Sequence, residues 1–377
     1  MTLEQILKKD KLTRDDLIYG LKLTYDGDLA RLFEAAYEVK VREIGRKAYF
    51  RGLLEISNRC RKNCFYCGIR AGNDRVERFD MTREEVLGMA QWAYDNQYGS
   101  VTLQSGERND PAFVEFIDDL LVQIKKIGGG RLGVTLSLGE QTDEIYRKWY
   151  DLGAHRYLLR IEASNPALYK KMHPDNAVHS YETRIDRIKA LKRLGYQLGT
   201  GVMIGLPGQT EEDLADDILF FERIDADMIG MGPYVVHQDT PTGREVMEKG
   251  QNGPEDIKRR MTMGLKMIAM TRLYLKNVNI ASTTALQALD PSGRELGLKA
   301  GGNILMPIIT AGEYKTKYLL YDNKPGVEDD EGKIRDSLTE RVRAIGEEVG
   351  LGQWGDSPHA LKAKPGPPPS GERKKQT

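Results

Sequence analysis

Between Phe50 and Pro307, short apolar runs of strand-like composition alternate with longer stretches whose apolar positions recur at helical spacing. The runs fall at residues 51–57, 100–105, 133–138, 156–161, 197–204, 227–231, 279–283 and 303–307. Strands that alternate with helices in this way pair in parallel and are joined by crossover helices packed on the sheet. Eight such units predict a closed (β/α)8 TIM-type barrel, an α/β fold. An open doubly wound sheet with fewer true strands is the alternative. Helix punctuation agrees with this division. Thr82 stands three residues before Glu85, and Thr210 three before Asp213, which is capping-box spacing. Gly153 and Gly195 follow the amphipathic segments 143–152 and 181–194, where a left-handed C-terminal residue is wanted.

The flanks read differently. Residues 1–48 carry Leu17, Leu21 and Leu29 among charges with no strand-like alternation, which predicts an N-terminal helical cap. The barrel is expected over 49–321 and a C-terminal extension over 322–355. Residues 356–377, which contain PGPPPSGERKKQT, are too rich in proline, glycine and charge to bury much apolar surface. They are expected to form a disordered tail.

The chain has 377 residues with 40% hydrophobic content, enough for one large core. Its 56 Lys and Arg balance 56 Asp and Glu, so no overall field recruits nucleic acid or an anionic membrane. No stretch approaches the roughly 18 to 20 apolar residues of a membrane span, and MTLEQILKKD lacks the basic-then-apolar order of a secretion signal. These features predict a cytoplasmic protein acting on a small molecule.

Chemistry concentrates in one short segment. The three cysteines, Cys60, Cys64 and Cys67, fall within eight residues, an odd number packed too tightly for a disulfide framework and typical of a metal site in a reducing compartment. They follow the first strand directly, at the end of the barrel where active sites are built. Three thiolates can hold three irons of a 4Fe-4S cluster and leave the fourth open to an external molecule. Zinc is the plainer reading, but a closed structural zinc site wants four ligands, and no fourth cysteine or histidine is near. Unligated buried cysteines are the other alternative.

The remaining strand ends are polar as well. They carry Gln104-Ser105-Gly106-Glu107, Ser137-Leu-Gly139-Glu140, Arg160-Ile-Glu162, the loop 205–210, Gly232-Pro-Tyr234 with His237, and Ser282-Thr283-Thr284. Glu162 can accept two hydrogen bonds from a ribose diol or face a sulfonium; its bland alternative is an ion pair with Arg184 or Arg160. The glycines of the 205–210 loop admit close approach of a ligand such as adenine, and the loop lacks the Gly-Lys-Ser/Thr ending of a triphosphate site. His237 reads as a ligand or proton carrier, or as a solvated loop residue. Arg51 can point into the barrel and grip a carboxylate, or be solvated at its strand start.

The CxxxCxxC spacing, with Tyr66 just before the last cysteine, resembles the signature of the radical S-adenosylmethionine (SAM) superfamily. Further runs narrow the resemblance: Ile56-Ser57-Asn58 before the cysteine loop, LQSGE at 103–107, VTLSLGE at 134–140, RYLLR at 156–160, GLPGQT at 205–210, GPY at 232–234 and TTA at 283–285. Residues 50 to about 321 resemble the radical SAM enzymes of FeFe-hydrogenase maturation of the HydE type, within the biotin synthase-like group. The resemblance implies one 4Fe-4S cluster on the three cysteines, with SAM on its open iron. It further implies SAM contacts from Tyr66, Gln104, Ser105, Gly106, Glu107, Ser137, Glu162, Arg184 and Met203, and closure by Tyr318. Arg51, Gln104, Arg160, Thr283 and Thr284 would line the substrate cavity. The implied substrate is a cysteine-bound iron carbonyl cyanide complex attacked by a 5'-deoxyadenosyl radical. The implied partners are other hydrogenase maturases and an electron donor such as ferredoxin or flavodoxin. Two departures are visible: Ile161 stands where some relatives carry histidine, and the C-terminal cysteine trio of some members is absent, which argues for a single cluster. The alternatives are a related mutase or synthase, such as methylornithine synthase or a biotin synthase-like enzyme, and a non-catalytic iron–sulfur scaffold or carrier.

Overall fold

The computed structural model describes residues 2–363. Eight parallel strands form its centre: β1 (Lys47–Ser57), β2 (Ser100–Ser105), β3 (Gly133–Ser137), β4 (Arg156–Leu158), β5 (Gln197–Thr200), β6 (Met228–Ile229), β7 (Asn279–Ile280) and β8 (Ile304–Leu305). They pair in the order β8-β1-β2-β3-β4-β5-β6-β7. The ends of that row meet through a parallel bridge between Ala281 and Ile304 and the Asn303 N–H to Ile280 carbonyl bond of 2.8 Å, so the sheet is a barrel and not an open doubly wound sheet. Side chains alternate across the pleat: Leu53 and Glu55 of β1 face the interior, whereas Leu54 and Ile56 join the core under the outer helices. The capping boxes at Thr82 and Thr210 are both formed, and Gly153 and Gly195 have φ of +107° and +98° at their helix ends.

The ring strands after β3 are shorter than their apolar runs suggest. The runs at 197–204 and 227–231 leave the ring after Thr200 and Ile229, and the chain resumes in a small separate pair, Met203–Ile204 against Gly232–Pro233. The break comes where two backbones touch. A Cβ on Gly201 would lie 1.9 Å from the carbonyl oxygen of Gly230. In contrast, β1 starts four residues earlier than expected, because Lys47 and Ala48 pair with Glu348 and Val349 from the C-terminal extension.

The N-terminal helices, Leu3–Leu7, Arg14–Lys22 and Asp26–Glu43, bury Leu17, Leu21 and Leu29 as their spacing requires. They pack outside the ring against the helices Glu211–Arg223 and Pro254–Leu275, which are amphipathic on that side.

The expected tail needs correction at its start. Gly355, Asp356 and Ser357 close the floor of the barrel, and Pro358–Ala363 is helical; residues 364–377 lie outside the described residues. Gly355 offers its carbonyl to Arg51 (3.1 Å) and Asn279 (2.8 Å), and Trp354 stacks on His155 at 4.6 Å. Asp356 accepts from Arg156 at 2.8 Å and faces His155 at 3.2 Å. Composition failed here because two or three anchored residues are enough when they neutralise a buried guanidinium. Among the described residues no helix is long and apolar enough to cross a membrane.

Burial opposes ionisation of Asp356, but His155 and Arg156 outweigh it and hold the carboxyl below the usual carboxylate range. Burial, then Arg156, pushes His155 down to about 4. Both groups bind protons less readily when folded. Their contributions are therefore present above the unfolded pKa values, about 6.5 for histidine and 3.9 for aspartate, and are lost as pH falls below them. Asp356→Asn should cost roughly 3 to 5 kcal/mol at neutral pH by stranding Arg156, and should flatten the loss of stability below about pH 4. Urea unfolding of both proteins from pH 7 to 3 measures this.

Candidate active site

The C-terminal ends of the strands enclose a cavity of about 350 Å³. Of the residues expected to hold the cluster, SAM or the substrate, all but Arg51 line it. Arg51 stands six residues before Ser57 on β1, level with Ser100 at the start of β2, and at about 3.3 Å per residue that carries it to the floor. There it borders a separate cavity of about 30 Å³ and is held by Gly355, so it is not brought together with Thr283 and Thr284.

The cysteine loop is fixed by hydrogen bonds before any ligand arrives. Arg78 donates to the carbonyls of Asn58, Ile69, Arg70 and Asn73 at 2.7 to 3.0 Å, tying both ends of the loop to one planar group. The LQSGE turn packs against it. The Glu107 N–H points at Cys60 Sγ (3.3 Å), and a Cβ on Gly106 would lie 2.3 Å from the Arg59 carbonyl. Only glycine permits that approach. Residues 172–179 brace the outer side: the Met172 carbonyl accepts from Phe65 N–H (3.0 Å), His179 Nε2 accepts from Asn63 N–H (2.8 Å), and Val178 accepts from the Lys62 ammonium.

Burial pushes the thiols of all three cysteines up, Cys64 to about 12. Burial disfavours the thiolate of each, so a metal bound there would be taken up with release of protons. No three His, Cys, Asp or Glu side chains among the described residues converge closely enough to hold one metal ion. Three thiolates, each on a different iron, are the donor set of a 4Fe-4S cluster with one open iron, whereas a closed structural zinc site wants four ligands.

Charge around the loop is buried and paired. Glu140 accepts from Arg184 Nε at 2.5 Å and lies 3.0 Å from the Lys62 ammonium; Glu107 accepts from Arg61 at 3.0 Å. Burial would raise the Glu140 carboxyl, yet Arg184 and Lys62 hold it below the usual range. Arg184 also donates to the Arg160 carbonyl at 2.5 Å, locking β4 to this network. At the end of β4, Arg160 grips Glu162 through Nε and Nη2 at 3.1 and 2.9 Å. Glu162 has φ of +67°, rare for a residue with a side chain, and is held there by bonds from its N–H to Gly201 and from Met203 to its carbonyl. Glu162 there lines the cavity wall.

A strap formed by residues 312–330 crosses the mouth. Gly68 N–H bonds to the Leu320 carbonyl, Asn58 to that of Lys317, and Gln104 donates to the Tyr318 hydroxyl at 3.4 Å. Lys324 reaches in to Glu55 at 2.5 Å and to the Tyr318 carbonyl at 2.8 Å. Burial raises the Glu55 carboxyl, and Lys324 only partly offsets it. Thr283 keeps a buried hydroxyl without a partner in the wall, whereas the Thr284 hydroxyl accepts from Arg294 at 3.0 Å.

Two further expectations differ. The 205–210 loop is closed on itself by Gln209, which bonds Gly205 N–H (2.7 Å) and the Met203 carbonyl (3.0 Å), and it opens on an outer cavity; of that region only Met203 reaches the central one. His237 packs against Gly68 and accepts from Asp239 N–H, outside the cavity. Glu55, Lys62, Lys324, His173 and His179 went unnoticed in the sequence because charged and histidine residues at such positions are usually solvated. Only the inward parity of Glu55 with Leu53 could have pointed to one of them.

A parallel barrel with three thiols on the loop after β1 is the architecture of a radical SAM enzyme, and the radical SAM superfamily model matches residues 54–221. The FeFe hydrogenase maturase subunit HydE of Thermotoga maritima is 40% identical over 359 residues, which cover 94% of this chain and 97% of that one. The chain belongs to the HydE family of radical SAM enzymes. The methylornithine synthase structure superposes with a TM-score of 0.76 at 22% identity, covering 93% of this chain and 98% of that one. The maturase HydG from Carboxydothermus hydrogenoformans gives 0.77 at 17% identity, covering 93% and 79%. These two likenesses concern the fold. The family implies a 4Fe-4S cluster and SAM, and the donor set of the loop fits the former.

The Glu55–Lys324 pair gives a direct check on the strap. Lys324→Met should destabilise the protein by roughly 3 to 5 kcal/mol, because a buried carboxylate loses its cation, and Glu55→Leu with Lys324→Met should recover much of that loss. A chemical-denaturation cycle over the four proteins reads the coupling.

Proposed function

We propose that the chain binds one 4Fe-4S cluster through Cys60, Cys64 and Cys67 and acts in FeFe-hydrogenase maturation on a cysteine-derived iron carbonyl cyanide substrate. The observation that carries this reading is the gathering of the cysteine loop, the Arg160–Glu162 pair and the Thr283–Thr284 step around a single cavity with a sealed floor. Bound there, the cluster supplies the electron that cleaves SAM to methionine and a 5'-deoxyadenosyl radical.

The protein's own groups do the rest. Gln104, Ser105, Gly106 and Glu107, with Ser137, line the side of the cavity next to Cys60 and offer carbonyls and hydroxyls to the SAM ammonium. Glu162 and Arg184 meet the ribose and the carboxylate ends of SAM, with Tyr66 and Met203 as apolar wall. Tyr318 closes over the ligand from the strap. Arg160 and the two threonines face the substrate; the unpartnered Thr283 hydroxyl is free for a carboxylate or a cyanide nitrogen. The strap above and the 350–357 segment below exclude water and competing hydrogen donors, which a primary radical requires. The setting we infer is the cytoplasm, with an electron donor of ferredoxin or flavodoxin type, a small organometallic substrate and the other maturases as partners, and neither nucleic acid nor membrane.

Anaerobic reconstitution should yield about four irons and four sulfides per chain, and Cys64→Ala should lose both the cluster and 5'-deoxyadenosine formation. A count near eight irons would contradict a single cluster. Glu162→Ala should keep the cluster but bind SAM roughly ten- to a hundredfold more weakly, the loss of one charge-assisted contact of about 1.5 to 3 kcal/mol. The functional reading itself is tested by maturation of apo-hydrogenase in a reconstituted mixture; if 5'-deoxyadenosine forms yet no hydrogenase matures, a neighbouring radical SAM synthase becomes the better reading.

A further inference from the structure

Arg260, on the helix Pro254–Leu275, is met differently from most buried cations of this chain. Arg156, Arg184 and Lys324 have carboxylates. Arg272 has none, but its guanidinium is met on every nitrogen, by the carbonyls of Gly301, Lys276 and Val278 and by the Asn303 amide oxygen. Arg260 is only 5% exposed and has no carboxylate. Its terminal nitrogens donate to the Gln251 carbonyl at 3.3 Å and to the Asn252 amide oxygen, and its buried Nε has no partner. A guanidinium withdrawn from water and left short of acceptors is costly.

The space beside it can supply what is missing. Arg260 lines the outer cavity of about 220 Å³ on which the 205–210 loop opens. Its stem passes against Gly205, where a Cβ would lie 2.7 Å from Arg260 Cγ, and its head reaches Gln251 in the same wall. A second charge is spare there. Glu211, the first residue of helix Glu211–Arg223, also lines the cavity and forms no ion pair among the described residues; its neighbour Glu212 holds Lys22 at 2.5 Å. Arg259, the other cation of the wall, is taken by Asp256 at 2.9 Å. Leu206, Leu214, Val246 and Met263 add an apolar surface to the same wall.

We propose that this outer cavity is a second ligand site, which takes an α-amino acid with an apolar side chain. The carboxylate meets Arg260, the ammonium meets Glu211, and the side chain lies against the four apolar residues. A guanidinium and a carboxylate pair through charge-assisted hydrogen bonds, and an ammonium donates to a carboxylate in the same way. A simple anion would leave Glu211 unmet and be repelled by it, and a simple cation would do the same at Arg260. A zwitterion answers both. Small-molecule sites have this make-up, a mostly apolar wall with a few placed polar groups. The site shares no lining residue with the central cavity and does not depend on the cluster or substrate assigned there.

Crystals of the SAM-loaded full-length protein soaked in L-selenomethionine test this, with SAM keeping the probe out of the central cavity. A selenium anomalous peak is expected against Leu206, Leu214, Val246 and Met263, and the absence of selenium there overturns the proposal. In calorimetry on the same SAM-loaded protein, Arg260→Met and Glu211→Gln should each weaken L-norleucine roughly tenfold or more, the loss of one charge-assisted contact. Hexanoate and pentylamine, which each keep one of its two charges, should bind more weakly than L-norleucine by a similar factor. Unchanged affinity in either variant, or equal affinity for either analogue, overturns the zwitterion site. Should Arg260→Met fail to fold, Glu211→Gln, at a half-buried position, decides by itself. Failure of the hydrogenase maturation assay would count against the proposed function and leave this result standing.

Discussion

Closure of eight parallel strands is the constraint on which the rest of this structure depends. Because all strands run one way, every strand-to-helix turn emerges at the same end, and groups from residues 55 to 324 meet within one cavity. The ring is joined by a single bridge between two short strands, β7 and β8, so the last closure is made by few bonds. It is supported from outside. Arg272, buried in the helix Pro254–Leu275, donates to the carbonyls of Gly301 and Val278 and to Asn303, tying together the chain on both sides of that seam.

A barrel interior that holds polar chemistry must also hold its charges in pairs. Burying an ion is costly unless a partner and further hydrogen bonds meet it. The floor solves this with Asp356 against Arg156, the mouth with Lys324 against Glu55, and the loop surround with Glu140 between Arg184 and Lys62. Two of these three pairs draw a partner from beyond β8. The chain beyond β8 is therefore part of the chamber wall: it seals one end, straps the other and supplies the counter-charge at both.

Rigidity of the cysteine loop has a similar origin. Its residues have no regular secondary structure, so their backbone groups need other partners. Arg78 gathers four carbonyls from within the loop, and residues 172–179 supply acceptors from without. A site assembled this way keeps its shape before the ligand arrives, which limits the ordering cost of binding.

Much of this was legible in the sequence. Periodicity divides the chain into eight strand–helix units, since burial on both faces of a parallel strand leaves a short apolar run and a covering helix leaves a 3.6-residue repeat. Cysteine spacing names the loop, and the polar residues just after each run name most of the cavity wall, because chain direction alone places them at one mouth. What the sequence could not show is how distant segments use charge. That Arg51 belongs to the floor follows from its height on β1, Asp356 becomes ordered only because Arg156 is buried above it, and Lys324, Glu55, His173 and His179 acquire roles only once the strap and the 172–179 segment lie against the barrel. Local pattern determined which elements form and which ends carry chemistry; long-range electrostatics and packing, which depend on separations across hundreds of residues, decided which buried charges pair and therefore how the chamber is closed.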